Sequence, residues 1–267
     1  AAGGLGERQP MLRFRFIGVL EHVASGLSDA RPQMLAALRR FAHASPDRIR
    51  LSAETPTLAE TMQDALGGLP VEVTPYPLAH PQAPMETDGP LVVLAAGAAR
   101  VDKGYLRLRA IYEEAARIMG LGRFEFLIQS APDDVLAKSL EHTAALYRLP
   151  HVNVLPAVLS QEMIDACYRR AHVVIMPYDA LTYRERGSAV MQEAVSFGRY
   201  VLGQRGTGFA RQISHYGFGR LAHSDLNFAV QLGRIDALPR GQLAELAATG
   251  RARYAADAAR AYAGWAA

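Results

Sequence analysis

The sequence predicts an α/β fold of the doubly wound, parallel-sheet kind, a short α/β unit followed by a longer one. Three observations carry this. Apolar runs of strand length alternate along the chain with amphipathic stretches of helical period, the order that builds a parallel sheet through crossover helices. The stretch Val173 to Gln204, VVIMPYDALTYRERGSAVMQEAVSFGRYVLGQ, reads as one complete strand–helix–strand crossover. A proline-rich interval, PYPLAHPQAPMETDGP, interrupts the alternation between residues 76 and 90 and divides the chain.

The elements follow in order. Phe14 to Leu20 is a strand candidate, Arg31 to His43 an amphipathic helix, Arg48 to Ala53 a strand, Leu58 to Leu66 a helix and Val71 to Pro75 a strand. Three strands with two helices between them make half of a doubly wound domain. His22, just after the first strand, reads as a loop histidine. The proline-rich interval reads as a linker, with a surface loop inside one domain as the alternative. Beyond it Leu91 to Ala96 is a buried strand, and Lys103 and Gly104 mark the start of a long helix. Arg100 and Lys103 thus lie on a strand-to-helix loop. A guanidinium and an ammonium placed there suit a diphosphate, or are simply solvated.

Phe124 to Ser130 is the next strand, and a helix runs from about Asp133 to Arg148. Asp133 and Asp134 suit the dipole of its first turn better than a metal, for which further ligands are missing. VNVLPA is a strand and LSQEMIDACYRRA a helix, with Ser160 a candidate N-cap and Cys167 inert packing. In the central unit a strand, Val173 to Met176, enters a polar elbow, and a helix opens near Gly187 and ends at Gly198. Glu185 and Glu193 bracket its start, with seven residues between them. In an open parallel sheet ligands lie beyond the carboxyl ends of the strands, so elbow and helix start face the binding crevice. Free amides at Gly187, Ser188 and Ala189 would suit an anion. Two glutamates at a helix start also read as a solvated face that complements the dipole. GTGFARQISHYGFGRLAH then reads as a glycine-rich turn, a short helix and an edge strand, and an alanine-rich terminal helix closes the chain.

Composition excludes several classes. Half of the 267 residues are hydrophobic and 21% are charged, as in ordinary globular chains. A net charge of +3 gives no argument for nucleic acid, while a pI near 9.1 fits acidic small ligands or peripheral contact with an anionic membrane surface. A single cysteine allows no internal disulfide framework and fits a reducing compartment. No apolar run reaches the roughly 18 residues of a membrane span, and no signal peptide is visible. The opening AAGGLGERQP, without a methionine, reads as the start of a piece of a longer chain.

The phrase PYDALTYRERGSAVMQEAVSFG resembles the donor-binding signature, Glu-x7-Glu, of retaining glycosyltransferases of the GT-B fold, family 4. The turn RVDKG resembles that family's Gly-Arg…Lys-Gly turn, with Ala98 where the usual arginine stands and Arg100 nearer the lysine. The likeness covers Leu91 to about His223. It implies a Rossmann-like donor domain, placed at 91–240 and followed by a terminal helix at 241–267. A partial N-terminal acceptor-side domain, 1–78, would precede a linker at 79–90, and His22 would lie where such enzymes often bring a histidine near the donor sugar. The implied reaction transfers a sugar, with retention, from a nucleotide-diphosphate sugar to a hydroxyl of a glycan or lipid-linked acceptor. This would serve glycan or glycolipid synthesis of the bacterial type, in the cytoplasm or at the inner face of its membrane. Arg100, Lys103 and Glu185 would act at the reacting centre, and Gly187, Ser188, Ala189 and Glu193 would hold the donor, Glu193 through the ribose hydroxyls. Gly206 to Gly208 would approach the donor, and the loop at Leu155 to Leu159 would receive the base. No metal or other cofactor is implied. A nucleotide-sugar binding module without transferase activity and a nucleotide-sugar epimerase are the alternatives. With much of an acceptor domain missing, the chain is expected to bind donor and transfer poorly.

Overall fold

The computed structural model describes residues 11–17, 31–130 and 137–266. His22, Asp133 and Asp134 lie outside them. Two parallel sheets organise the chain. The first has three strands in the order β1 (Leu12–Phe16), β2 (Ile49–Ala53), β3 (Glu72–Val73), with helices α1 (Arg31–Ala44) and α2 (Pro56–Ala65) in the connections. Phe16, Leu51, Ala53, Leu58, Met62 and Leu66 form its core. Thr55 starts α2, accepting the Leu58 amide on its hydroxyl at 3.2 Å, with Pro56 in the first helical position, where a missing N–H costs nothing.

The second sheet contains β4 (Leu91–Ala95), β5 (Phe124–Gln129), β6 (Val152–Leu155), β7 (Val173–Met176), β8 (Tyr200–Gln204) and β9 (Gly219–Ala222). Every pair is parallel and the order is β6-β5-β4-β7-β8-β9. Alternate residues of each strand point to opposite faces. Leu91 and Val93 meet α3 (Leu108–Met119) and α8 (Asp225–Asp236) on one face. Val92 and Leu94 join Val174 and Met176 beneath α5 (Gln161–Arg170), α6 (Ala189–Ser196), α7 (Ala210–Tyr216) and the terminal helix α9 (Arg240–Ala266) on the other. Helix α4 (Ala137–Leu146) lies between β5 and β6 in the chain. With both faces covered, strands such as LVVL are apolar throughout rather than alternating.

One expectation changes. The helix foreseen from Lys103 begins only at Leu108. Two 3-10 turns, Val101–Lys103 and Tyr105–Arg107, precede it, because Gly104 between them is left-handed, with φ +76°. The segment 79–90 packs against the second unit. His80 exchanges hydrogen bonds with the Ser196 hydroxyl at 2.6 and 3.0 Å, and its ring stacks on Phe197 at 4.6 Å. The buried Arg199 donates to the carbonyls of Ala83, Pro84 (2.9 Å), Phe197 (3.0 Å) and Ala171 (3.0 Å). Five N–H donors in a planar fork suit one residue to gather so many carbonyls, and burial lowers this guanidinium's pKa to about 10.

Candidate functional site at the sheet's switch point

Connections leave β4 toward β6 in one direction, and those from β7 run toward β9 in the other. The reversal falls between β4 and β7, which pair directly, and such a switch point opens a crevice at the carboxyl ends of the two strands. The loops that meet there are the glycine turn after β4 and the elbow after β7. They are locked together. The Asp179 amide donates to the Asp102 carbonyl at 2.8 Å, and a Cβ on Gly104 would stand 2.0 Å from the Pro177 carbonyl oxygen, so only glycine allows this approach.

Lys103 projects from this junction. Its Nζ would lie 2.9 Å from a Cβ on Gly97, and Val190 of α6 closes the same spot at 3.0 Å. Burial pushes its pKa down, the Arg100 charge pushes the same way, and Asp102 and Glu193 oppose. Lys103 and Glu193, on separate elements, are thus brought within electrostatic reach. Glu193 accepts the Tyr168 hydroxyl at 2.7 Å, which orients it from α5. Tyr168 is buried, and burial together with the Glu193 charge holds its phenol protonated. The Gln129 side chain accepts the Gly97 amide at 2.8 Å and donates to the Ala157 carbonyl at 2.7 Å, tying the β4 turn to the loop 155–159. Gly97, Lys103, Gln129, Pro177 and Tyr178 line a small cavity of about 20 Å³, room for about one water. Larger grooves lie away from the switch point, one of about 600 Å³ between Pro56 and Tyr216.

The other expected residues are placed as follows. Arg100 forks onto Asp102, two residues on, with Nε to Oδ1 at 2.8 Å, and is about half exposed. Ser188 caps α6, its hydroxyl accepting the Met191 amide at 3.3 Å, and Ala189 is the first helical residue. Glu185 does not join Glu193. Its Oε1 accepts the Thr61 hydroxyl at 2.8 Å, and its backbone carbonyl accepts the Thr55 hydroxyl at 2.8 Å, both from the first unit. The Gly187 amide, which the sequence leaves free for an anion, instead donates to Glu54 Oε1 at 2.7 Å. Helix-start amides attract anions, and here the chain supplies its own carboxylate. Gly208 packs where a Cβ would meet the Glu185 carbonyl carbon at 2.8 Å, so the glycine turn after β8 backs the elbow.

Cys167 sits half-buried in α5 with its pKa raised by burial, as befits packing. Ser160 caps that helix through the Met163 amide at 3.2 Å. Sequence reasoning passed over Glu54, Thr61, Gln129, Tyr168 and Tyr178. The Tyr178 hydroxyl is buried with no hydrogen bond among the described residues. Its place two residues after an apolar strand was the available signal; the others carry no motif. Among the described residues no three or more His, Cys, Asp or Glu side chains gather as for a metal, and no helix is long and apolar enough to cross a membrane.

No family model matches the sequence, and no curated protein matches it. Solved structures do. A UDP-forming α,α-trehalose-phosphate synthase from Burkholderia xenovorans superposes with TM-score 0.69 at 11% identity, over 97% of this chain and 68% of that one. Sucrose-phosphate synthase from Thermosynechococcus elongatus gives 0.64 at 17%, over 95% and 67%. Anabaena HepE, in complex with UDP and glucose, gives 0.62 at 15%, over 97% and 71%. At such identities the likeness shows the fold, and it extends across both sheets.

Proposed function

With the GT-B fold of these sugar-transferring enzymes as the premise, we propose that this chain binds a nucleotide-diphosphate sugar at the switch point of its second sheet. It transfers the sugar, with retention, to an acceptor hydroxyl. The observation that carries the reading is the convergence of Lys103 and Glu193 where the β4 turn and the β7 elbow are locked together. The hard step is breaking the bond between the anomeric carbon and the phosphate oxygen, as charge grows on the leaving diphosphate. Lys103, half-shielded from water, would meet that charge more strongly than an exposed lysine. Arg100 would join only by giving up its fork on Asp102. Glu193, oriented by Tyr168, would accept from the ribose hydroxyls, and Glu185 from hydroxyls of the donor sugar. Both carboxylates already accept a hydrogen bond from the protein, which favours an orienting role over that of a covalent nucleophile. The UDP and glucose held by HepE favour a nucleotide sugar as donor. A cytoplasmic site and a glycan or lipid-linked acceptor belong to this proposal.

Calorimetric titration with UDP, GDP and ADP tests the site. One of them should bind, and Glu193→Ala should weaken it about tenfold or more. Because that change also orphans the Tyr168 hydroxyl, Glu193→Gln, which keeps an acceptor, separates lost ribose contact from a loosened helix. Absence of binding by all three would sink the proposal. Binding without sugar transfer to any acceptor would favour a binding module.

A further inference from the structure

Residues 54–61, running into α2 of the first unit, grip the elbow of the second at three points. Thr55 Oγ1 donates to the Glu185 carbonyl at 2.8 Å, Thr61 Oγ1 donates to Glu185 Oε1 at 2.8 Å, and Glu54 Oε1 accepts the Gly187 amide at 2.7 Å. On its other side the elbow is backed by Gly208, whose amide donates to the Tyr183 carbonyl at 2.7 Å. A further bond, from Gln212 Nε2 to the Glu54 carbonyl at 3.0 Å, fixes the grip to α7. Residues 185–187 are therefore defined by contacts from both units rather than by the second sheet alone.

The bond from Thr61 has a specific geometric effect. It occupies Oε1 of Glu185, leaving Oε2 as the carboxylate oxygen without a protein donor among the described residues. A carboxylate on a long side chain has several rotamers, and one charge-assisted bond is enough to select among them. We propose that Thr61 is a positioning residue: it holds Glu185 so that one oxygen is anchored in the protein and the other faces the crevice to accept a donor-sugar hydroxyl. This rests on the function proposed above and adds that the first unit tunes recognition of the sugar, as distinct from the nucleotide. Thr55 and Glu54 hold the backbone on which that carboxylate stands.

The test compares each nucleotide sugar with its own nucleoside diphosphate: UDP-glucose with UDP, GDP-mannose with GDP, ADP-glucose with ADP, all by calorimetry. For a pair in which the parent protein prefers the sugar nucleotide, Thr61→Val, nearly isosteric but without a donor, should lose about tenfold in affinity for it. Affinity for the bare diphosphate should stay unchanged. Thr61→Ser, which restores the hydroxyl, should recover the preference, an outcome that loss of packing would not produce. Equal loss for both members of the pair, or no loss for either, overturns the positioning role while leaving the nucleotide site standing. If the parent prefers no sugar nucleotide over its diphosphate, the positioning role falls. If it binds no nucleotide at all, the proposed function falls with it.

Discussion

Lys103 carries its charge where burial and the neighbouring Arg100 both work against it. An anion bound beside it would raise its pKa again, so the protonated form is the one that binds. Diphosphate affinity should be greatest below the free-protein pKa of Lys103, which lies under the ordinary 10.5, and fall as pH rises through it. Lys103→Ala should abolish that slope and weaken diphosphates far more than nucleosides; equal loss of both, measured by calorimetry, would indicate damage to the fold. Glu54 is shifted in the other direction by the fold, and here the linkage is to folding rather than to binding. Burial raises its pKa above 4.5, against the Gly187 amide and the Arg15 charge. Folding therefore favours the protonated acid, and its contribution is full below pH 4.5 and lost as pH climbs through the raised value. Glu54→Gln keeps a carbonyl acceptor for Gly187. Its Tm should match the parent at or below pH 4.5 and exceed it at neutral pH. A lower Tm at neutral pH would mean that the attraction of Arg15 outweighs the desolvation.

Among the elements, the turn at 101–104 joins strand β4 to the elbow after β7, and Gly104 is the point of contact. Alanine there would need a left-handed backbone, costing about 1–2 kcal/mol, and would drive its Cβ against the Pro177 carbonyl. Gly89 supplies the control: its φ of +80° is similar, but nothing lies within 4 Å of a Cβ placed on it. Gly104→Ala should therefore cost at least about 2 kcal/mol in urea unfolding, against about 1 kcal/mol for Gly89→Ala. Equal costs would show that the contact with Pro177 relaxes freely. Loss of diphosphate binding with Gly104→Ala alone would tie the lock between the two loops to the site.

At the scale of the molecule, Arg15 also ties the two units together. From β1 it donates to the Tyr262 hydroxyl of α9 at 2.5 Å and to the Thr74 carbonyl at 2.6 Å, and it lies 3.8 Å over the Tyr76 ring. Helix α9 is anchored in the second core by Tyr254 and Ala258. With the grip on the elbow, this makes a second tie between the units. The parent should unfold in one calorimetric transition, and Arg15→Ala should lower and broaden it into two, the first unit melting earlier. An unchanged single transition would leave the elbow grip as the dominant coupling.

The sequence by itself determined the α/β alternation, the parallel order of elements and most helix ends, because these rest on local periodicity and capping: Ser160 caps the helix expected of it, and Gly198, with φ +73°, follows α6. It also placed Arg100, Lys103, Glu185 and Glu193 on loops and a helix at one sheet edge. Only the tertiary structure decided their partners. A residue's charge is readable from sequence, but whether it is free depends on what folds against it. Arg100 is taken by Asp102, Glu193 is oriented by Tyr168, and the Gly187 amide is filled by Glu54, 133 positions away. The late start of α3 escaped the periodicity because a left-handed Gly104 is selected by its approach to Pro177, a contact between segments that no local pattern encodes.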